Sequence, residues 1–142
     1  MAIATRTLKD TKLETGSGTQ GGKVTVLVNM NDNTTADSVV LDASALSGHA
    51  NGAFLDITRI WWGLVQGTAD DNTGWADIEF VGASADTLAI NLAGTGHYDG
   101  TAGKIENNAT NTTATSGDLK LNAYGVSGFV LIELRKDEAF TA

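Results

Sequence analysis

The chain holds two histidines, His49 and His97, and they are the first residues to weigh, because a general base near neutral pH is most often an imidazole. His97 stands two residues before Asp99, a spacing that would set an imidazole beside a carboxylate. The rest of such a set is missing from the pattern. There is no Gly-x-Ser-x-Gly elbow to present a serine nucleophile, and there is no cysteine. Both histidines fall in stretches of small residues that read as loops. No catalytic residue is assigned, and an enzyme is not expected. The oxygen-rich run Asp70-Asp71-Asn72-Thr73-Gly74 has the composition of a calcium loop. Its spacing is wrong: counting from Asp70, the fifth position is Gly74 and the twelfth is Val81, where a bidentate glutamate is needed. As a turn the same letters need no ion, since Asp, Asn and Gly tolerate positive φ. Residues 31–37 read the same way. Gly16-Ser17-Gly18 and Gly94-Thr95-Gly96 lack the Lys-Ser/Thr of a phosphate loop and open no helix, so they too are turns. No metal and no cofactor are expected.

The tryptophans carry a different kind of chemistry. Trp61 and Trp62 are adjacent in an extended run, so their rings must leave opposite faces of a strand. One can anchor a core. The other points outward, where a large aromatic is covered by a loop or used as a contact. Trp75 opens the next run. Three readings stand: residues 94–115 fold over the outward ring, the ring anchors a protein–protein contact, or it stacks on sugar rings. Near the N-terminus Arg6, Lys9 and Lys12 face only Asp10, and such a basic stretch suits an acidic surface. The candidate contact residues are therefore Arg6, Lys9, Lys12, Trp61, Trp62 and Trp75.

The elements that would position these residues are strands. Residues 23–30 alternate at period two, with Val24, Val26, Val28 and Met30 on one face. Residues 38–43 give a short strand, and residues 44–52 a loop or single helical turn. Residues 54–66 form the longest run, apolar on both sides, as in a central strand or one covered on its second face. Residues 67–74 look like a hairpin loop. Residues 75–81 return with Ala76, Ile78 and Phe80 inward against Asp77 and Glu79. Leu88, Ile90 and Leu92 share a face in residues 87–92, and residues 94–115 read as one long loop. Leu119 and Leu121 mark residues 118–124, and Val130, Ile132 and Leu134 mark residues 128–140. With an edge segment at residues 5–13 this predicts about eight strands: an all-β, single-domain antiparallel β-sandwich, jelly-roll-like. Residues 1–15 are expected to form an N-terminal arm or edge strand, and residues 16–142 the sandwich.

A chain of 142 residues suffices for one well-buried domain. The net charge is −8, and from Asp37 to Asp99 nine acids stand against Arg59 alone. Phosphate neutralisation needs clustered Lys and Arg, so no nucleic-acid partner is expected. The longest apolar stretch, around residues 60–65, is far too short for a membrane span, and no membrane partner is expected. The first residues lack the apolar core of a secretory signal, which points to synthesis in a cytoplasm.

The strand pattern resembles small virion proteins of tailed bacteriophages. The resemblance rests on Ile57-Thr58-Arg59-Ile60-Trp61-Trp62-Gly63, on Trp75-Ala76-Asp77-Ile78-Glu79-Phe80, and on Ala85-Asp86-Thr87-Leu88-Ala89-Ile90-Asn91-Leu92. Tyr98-Asp99-Gly100 and the closing run Phe129-Val130-Leu131-Ile132-Glu133-Leu134-Arg135-Lys136 complete it. The resemblance implies a capsid decoration, or cement, protein with a jelly-roll fold. Such a protein would sit on the virion exterior, bind the major capsid protein, and associate with itself as a dimer or trimer. The alternative is a carbohydrate-binding or tail-associated adhesin module of the same fold class, with Trp61 or Trp75 as the platform.

Overall fold

The computed structural model describes residues 3–12, 22–31, 36–66 and 74–141. Among the described residues nine strands follow one another: β1 (Ile3–Asp10), β2 (Lys23–Met30), β3 (Ala36–Leu41), β4 (Leu55–Gln66), β5 (Trp75–Phe80), β6 (Thr87–Leu92), β7 (Thr95–Tyr98), β8 (Leu119–Tyr124) and β9 (Val126–Lys136). A short 3-10 turn at Ala43–Ala45 follows β3, with the Asp42 side chain accepting from the Ser44 amide at its start. Among the described residues no helix is long and apolar enough to cross a membrane.

The strands make two antiparallel sheets, a five-stranded one ordered β1-β2-β9-β4-β7 and a four-stranded one ordered β3-β8-β5-β6. Only the steps from β1 to β2 and from β5 to β6 join neighbours within a sheet; every other connection passes from one sheet to the other. The shortest passage is the single residue between β8 and β9, Gly125, whose φ of +66° a side chain would resist. Period two supplies the core. Val24, Val26 and Val28 of β2, Val130, Ile132 and Leu134 of β9, and Leu119, Leu121 and Ala123 of β8 are all essentially without exposure. Across from them Ala76, Ile78 and Phe80 of β5 fill the other layer. The all-β sandwich expected from the sequence is the observed fold.

Four local expectations are corrected. First, β4 owes its two-sided apolar appearance to a bulge. Its register against β9 shifts between Ile57 and Arg59, so Leu55 and Ile57 point inward, and Ile60 and Leu64 do so again beyond the extra residue. Second, residues 67–74 do not close a hairpin, because β4 and β5 belong to different sheets. The strand ends are tied instead by Gln66, whose side-chain oxygen accepts from the Gly74 amide at 2.7 Å while its nitrogen donates to the Gly74 carbonyl at 3.2 Å. Third, residues 94–115 are not all loop. β7 adds to the open edge of β4, and Ile105 bridges to Ile57 further along. Fourth, Leu88 is 52% exposed, since the register of β5 on β6 shifts at Ile78/Glu79 and turns Leu88 outward opposite Glu79.

The N-terminal segment is an edge strand. β1 pairs with β2 from Ile3↔Met30 to Asp10↔Val24. Its far end is held by the fully buried Lys136, whose Nζ donates to Asp10 Oδ1 and, at 2.7 Å, to the Ser47 carbonyl. The other Asp10 oxygen accepts from the Ser47 amide at 2.8 Å. One carboxylate thus joins β1, β9 and the loop after β3.

Candidate functional site

The outer face of the five-stranded sheet gathers most of the candidate contact residues. Because antiparallel partners share a side, the register Arg6↔Leu27, Leu27↔Leu131, Leu131↔Trp61 and Trp61↔His97 lines up one row across all five strands. The inward neighbours Val26, Val130, Ile132 and Ile60 are buried, so this row faces out. Trp61 and His97 stack with ring centroids 5.1 Å apart and planes within 9°. The adjacent row runs Asn29, Phe129, Gly63 and Thr95. Phe129, 39% exposed, lies over Gly63, where an added Cβ would come within 2.9 Å of its ring. Leu27, Leu131, Trp61 and Phe129 make an apolar belt across the middle strands.

On the other side of the belt the face turns cationic. Lys9 pairs with Thr25, Thr25 with Glu133 and Glu133 with Arg59; the next row holds Lys23 and Arg135 beside Asp56. Thr58, Arg59, Asp99, Gly100, Lys104 and Arg135 line a shallow depression there. Its acids are already engaged. Asp99 accepts from the Thr101 amide at 2.9 Å. Asp56 binds Lys104 Nζ at 2.9 Å and the Asn107 amide at 3.0 Å, and this partner holds the Lys104 ammonium above its ordinary pKa. Glu133 stands 3.9 Å from Arg59.

The outer face of the four-stranded sheet has the opposite sign. Asp37, Asn122, Asp77 and Asn91 form one row and Val39, Lys120, Glu79 and Leu88 the next. Asp86 reaches over to Lys120 Nζ at 2.9 Å, a hydrogen bond that lowers its pKa. Burial, and then the Asp37 charge, push Asp77 up; burial followed by Asp77, Asp86 and Asp37 does the same to Glu79. Trp75 sits at one end of this face, 43% exposed and opposite Tyr124.

The contact candidates therefore divide. Arg6, Lys9 and Trp61 share the outer face of the five-stranded sheet, and Lys12 follows the end of β1, exposed. Trp62 turns to the inner side, packs on the core and donates its Nε1 to the Ala93 carbonyl at 2.9 Å. Its ring lies against Gly96, where a Cβ would fall 2.3 Å from Trp62 Cζ2. Trp75 belongs to the opposite sheet. The outward ring of Trp61 is flanked by β7, which extends the sheet edge and brings His97 onto it. Leu27, Leu131 and Phe129 come beside Trp61 only through cross-strand register, which the sequence pattern does not supply, and Arg135 lies further along the same face.

His97 and Asp99 are spoken for, one by Trp61 and the other by Thr101. A serine, a histidine and an aspartate do meet elsewhere. Ser116 Oγ is 3.4 Å from His49 Nε2, which also lies 2.9 Å from the Ser116 carbonyl, and Asp118 is close by. The set is scaffolding by position: Ser116 has no exposure, its Oγ accepts from the Gly52 amide at 2.7 Å, and Asp118 accepts from the Ala43 amide at 2.7 Å. It pins the loop after β3 to the turn before β8. Among the described residues no group of three or more His, Asp or Glu is placed to hold a metal ion. The run Asp70 to Thr73 lies outside the described residues, as does most of 31–37. No family model matches this chain, and no curated protein or solved structure is similar enough to match it.

Proposed function

We propose that the protein is a virion structural protein, a decoration protein that binds the outside of a phage capsid and stabilises the lattice of the major capsid protein. The observation that carries this reading is where the surface chemistry lies. It is spread over two broad sheet faces, one aromatic and cationic and one acidic, while Ser116 and Asp118 of the Ser116–His49–Asp118 set are buried and tied to the Gly52 and Ala43 amides. Extended faces of this kind suit protein–protein contact better than small-molecule turnover. The strand order supports the finer fold assignment as well. β2-β9-β4-β7 facing β3-β8-β5-β6, with the chain crossing between sheets at almost every step, is compatible with a jelly roll to which β1 adds an outer strand.

Cementing needs only differential binding. A molecule that binds the expanded lattice alone stabilises it by RT ln(1 + [L]/Kd) per site, about 2.7 kcal/mol when free protein is at 100 times Kd. Repeated over a shell, a few kcal/mol per site resists the pressure of packaged genome. The test is co-sedimentation of the purified chain with expanded heads, stripped of decoration, from the phage whose genome encodes it. Saturable binding to expanded heads, with a raised disruption temperature, supports the reading. Failure to bind the heads refutes it.

A further inference from the structure

Resting on that reading, we infer that the outer face of the five-stranded sheet is the docking side, and that its partner is an acidic protein surface with an apolar centre. The chain is acidic overall, at −8, yet its bases are not dispersed. Of nine Lys and Arg residues, Arg6, Lys9, Lys23, Arg59 and Arg135 project from this one face and Lys104 borders it. Lys136 is buried, and Lys120 lies on the opposite sheet among Asp37, Asp77, Glu79 and Asp86. A molecule that repels acidic surfaces everywhere else attracts them here. Such a charge distribution sets orientation as well as on-rate.

The belt supplies the other half of the contact. Leu27, Leu131, Trp61 and Phe129 are contiguous in register and flanked by Asn29, Thr25 and the cations, which is the layout of an apolar centre with a polar rim. Trp61 is held flat by its stack on His97, and Phe129 by its seat on Gly63. Both aromatics are therefore ordered before contact, and little entropy is left to lose on docking. Arg59, Lys104 and Arg135 line the depression beside the belt and add to the positive side of this face. The same face of a second copy is a poor occupant, because it offers cations where carboxylates are needed.

The test pairs two measurements. In head binding, Trp61→Ser and the double variant Arg6→Glu, Lys9→Glu are each expected to weaken affinity at least tenfold. Val39→Ser and Leu88→Ser, on the opposite sheet, are expected to leave it within twofold, with all variants checked for an unchanged urea midpoint. Binding should also fall at least tenfold as salt rises from about 50 mM to about 500 mM. In the second measurement poly-L-glutamate is titrated into the free protein at low salt while backbone amide shifts are followed. Movement in β1, β2, β4 and β9 supports the inference, and movement in β3, β5 and β8 overturns it. Heads bound by the wild type but lost through Val39→Ser or Leu88→Ser would overturn the inference and leave the decoration reading standing. Heads not bound at all would remove both. Growth into fibres, one copy's cationic face on the next copy's acidic face, would also overturn it.

Discussion

Asp118→Asn should gain stability relative to the wild type as pH rises from 4 to 7.5. Asp118 is 5% exposed, and burial drives its carboxyl up from 3.8 to about 6, against the opposing pull of the Ala43 amide hydrogen bond. The folded state therefore holds a proton that the unfolded chain has released. Stability from this group is complete below the unfolded pKa and is lost as pH rises through the folded one. A change from 3.8 to about 6 corresponds to about 3 kcal/mol at 1.36 kcal/mol per tenfold in proton affinity. About 2 kcal/mol of it should develop between pH 4 and pH 7.5, the window that straddles both values. Asparagine keeps an oxygen for the Ala43 amide and never ionises. Its extra N–H adds a constant cost of about 1–3 kcal/mol if it finds no partner, which does not vary with pH. The assay is urea unfolding by tryptophan fluorescence for both proteins at five pH values, reading the difference between them. Asp77 and Asp137, whose pKa values are also raised by burial, titrate in both proteins and cancel. A difference that stays flat from pH 4 to pH 7.5 would refute the placement of Asp118 as a buried, strained carboxylate.

Three further perturbations probe separate joints of the fold. Gly96→Val would drive a side chain into the Trp62 ring, where even a Cβ falls 2.3 Å from Cζ2, and should cost about 1–3 kcal/mol in urea unfolding. Lys136→Met removes the cation from Asp10 and the Ser47 carbonyl; because Asp10 reaches solvent, about 1–3 kcal/mol should be lost, with hydrogen exchange rising first in β1. Deleting Thr58 would remove the extra residue and leave Ile57 opposite Leu134 and Arg59 opposite Glu133, so Ile60 and Leu64 stay inward. That protein should still unfold cooperatively, whereas deleting Arg59 and Thr58 together should not, and the reverse result would contradict the register.

Much of this sandwich was legible as written. β2, β5 and the inner half of β9 announce themselves by strict alternation, since one buried face demands it. β4 was found but misread, because a single extra residue at Thr58 inverts the alternation and imitates a strand buried on both sides. β7 carried no signal: Thr95-Gly96-His97-Tyr98 has a glycine where its inner face receives the Trp62 ring, so the apolar side chain comes from the neighbouring strand. The turn letters at 67–74 show where the chain bends and not which sheet it bends toward. The outer face of the five-stranded sheet was half legible. Arg6, Lys9 and Trp61 were singled out by type, but the row that joins Arg6 to Trp61 through Leu27 and Leu131 is a product of long-range pairing. The opposed charges of the two faces were hidden for the same reason.

A cryo-electron microscopy reconstruction of the virion reaches the central claim most directly. The expected map shows this sandwich on the capsid exterior, with Trp61, Phe129 and Arg59 against an acidic patch of the shell and Asp37 turned to solvent. Density with the acidic sheet toward the shell, or none on the capsid at all, would contradict it.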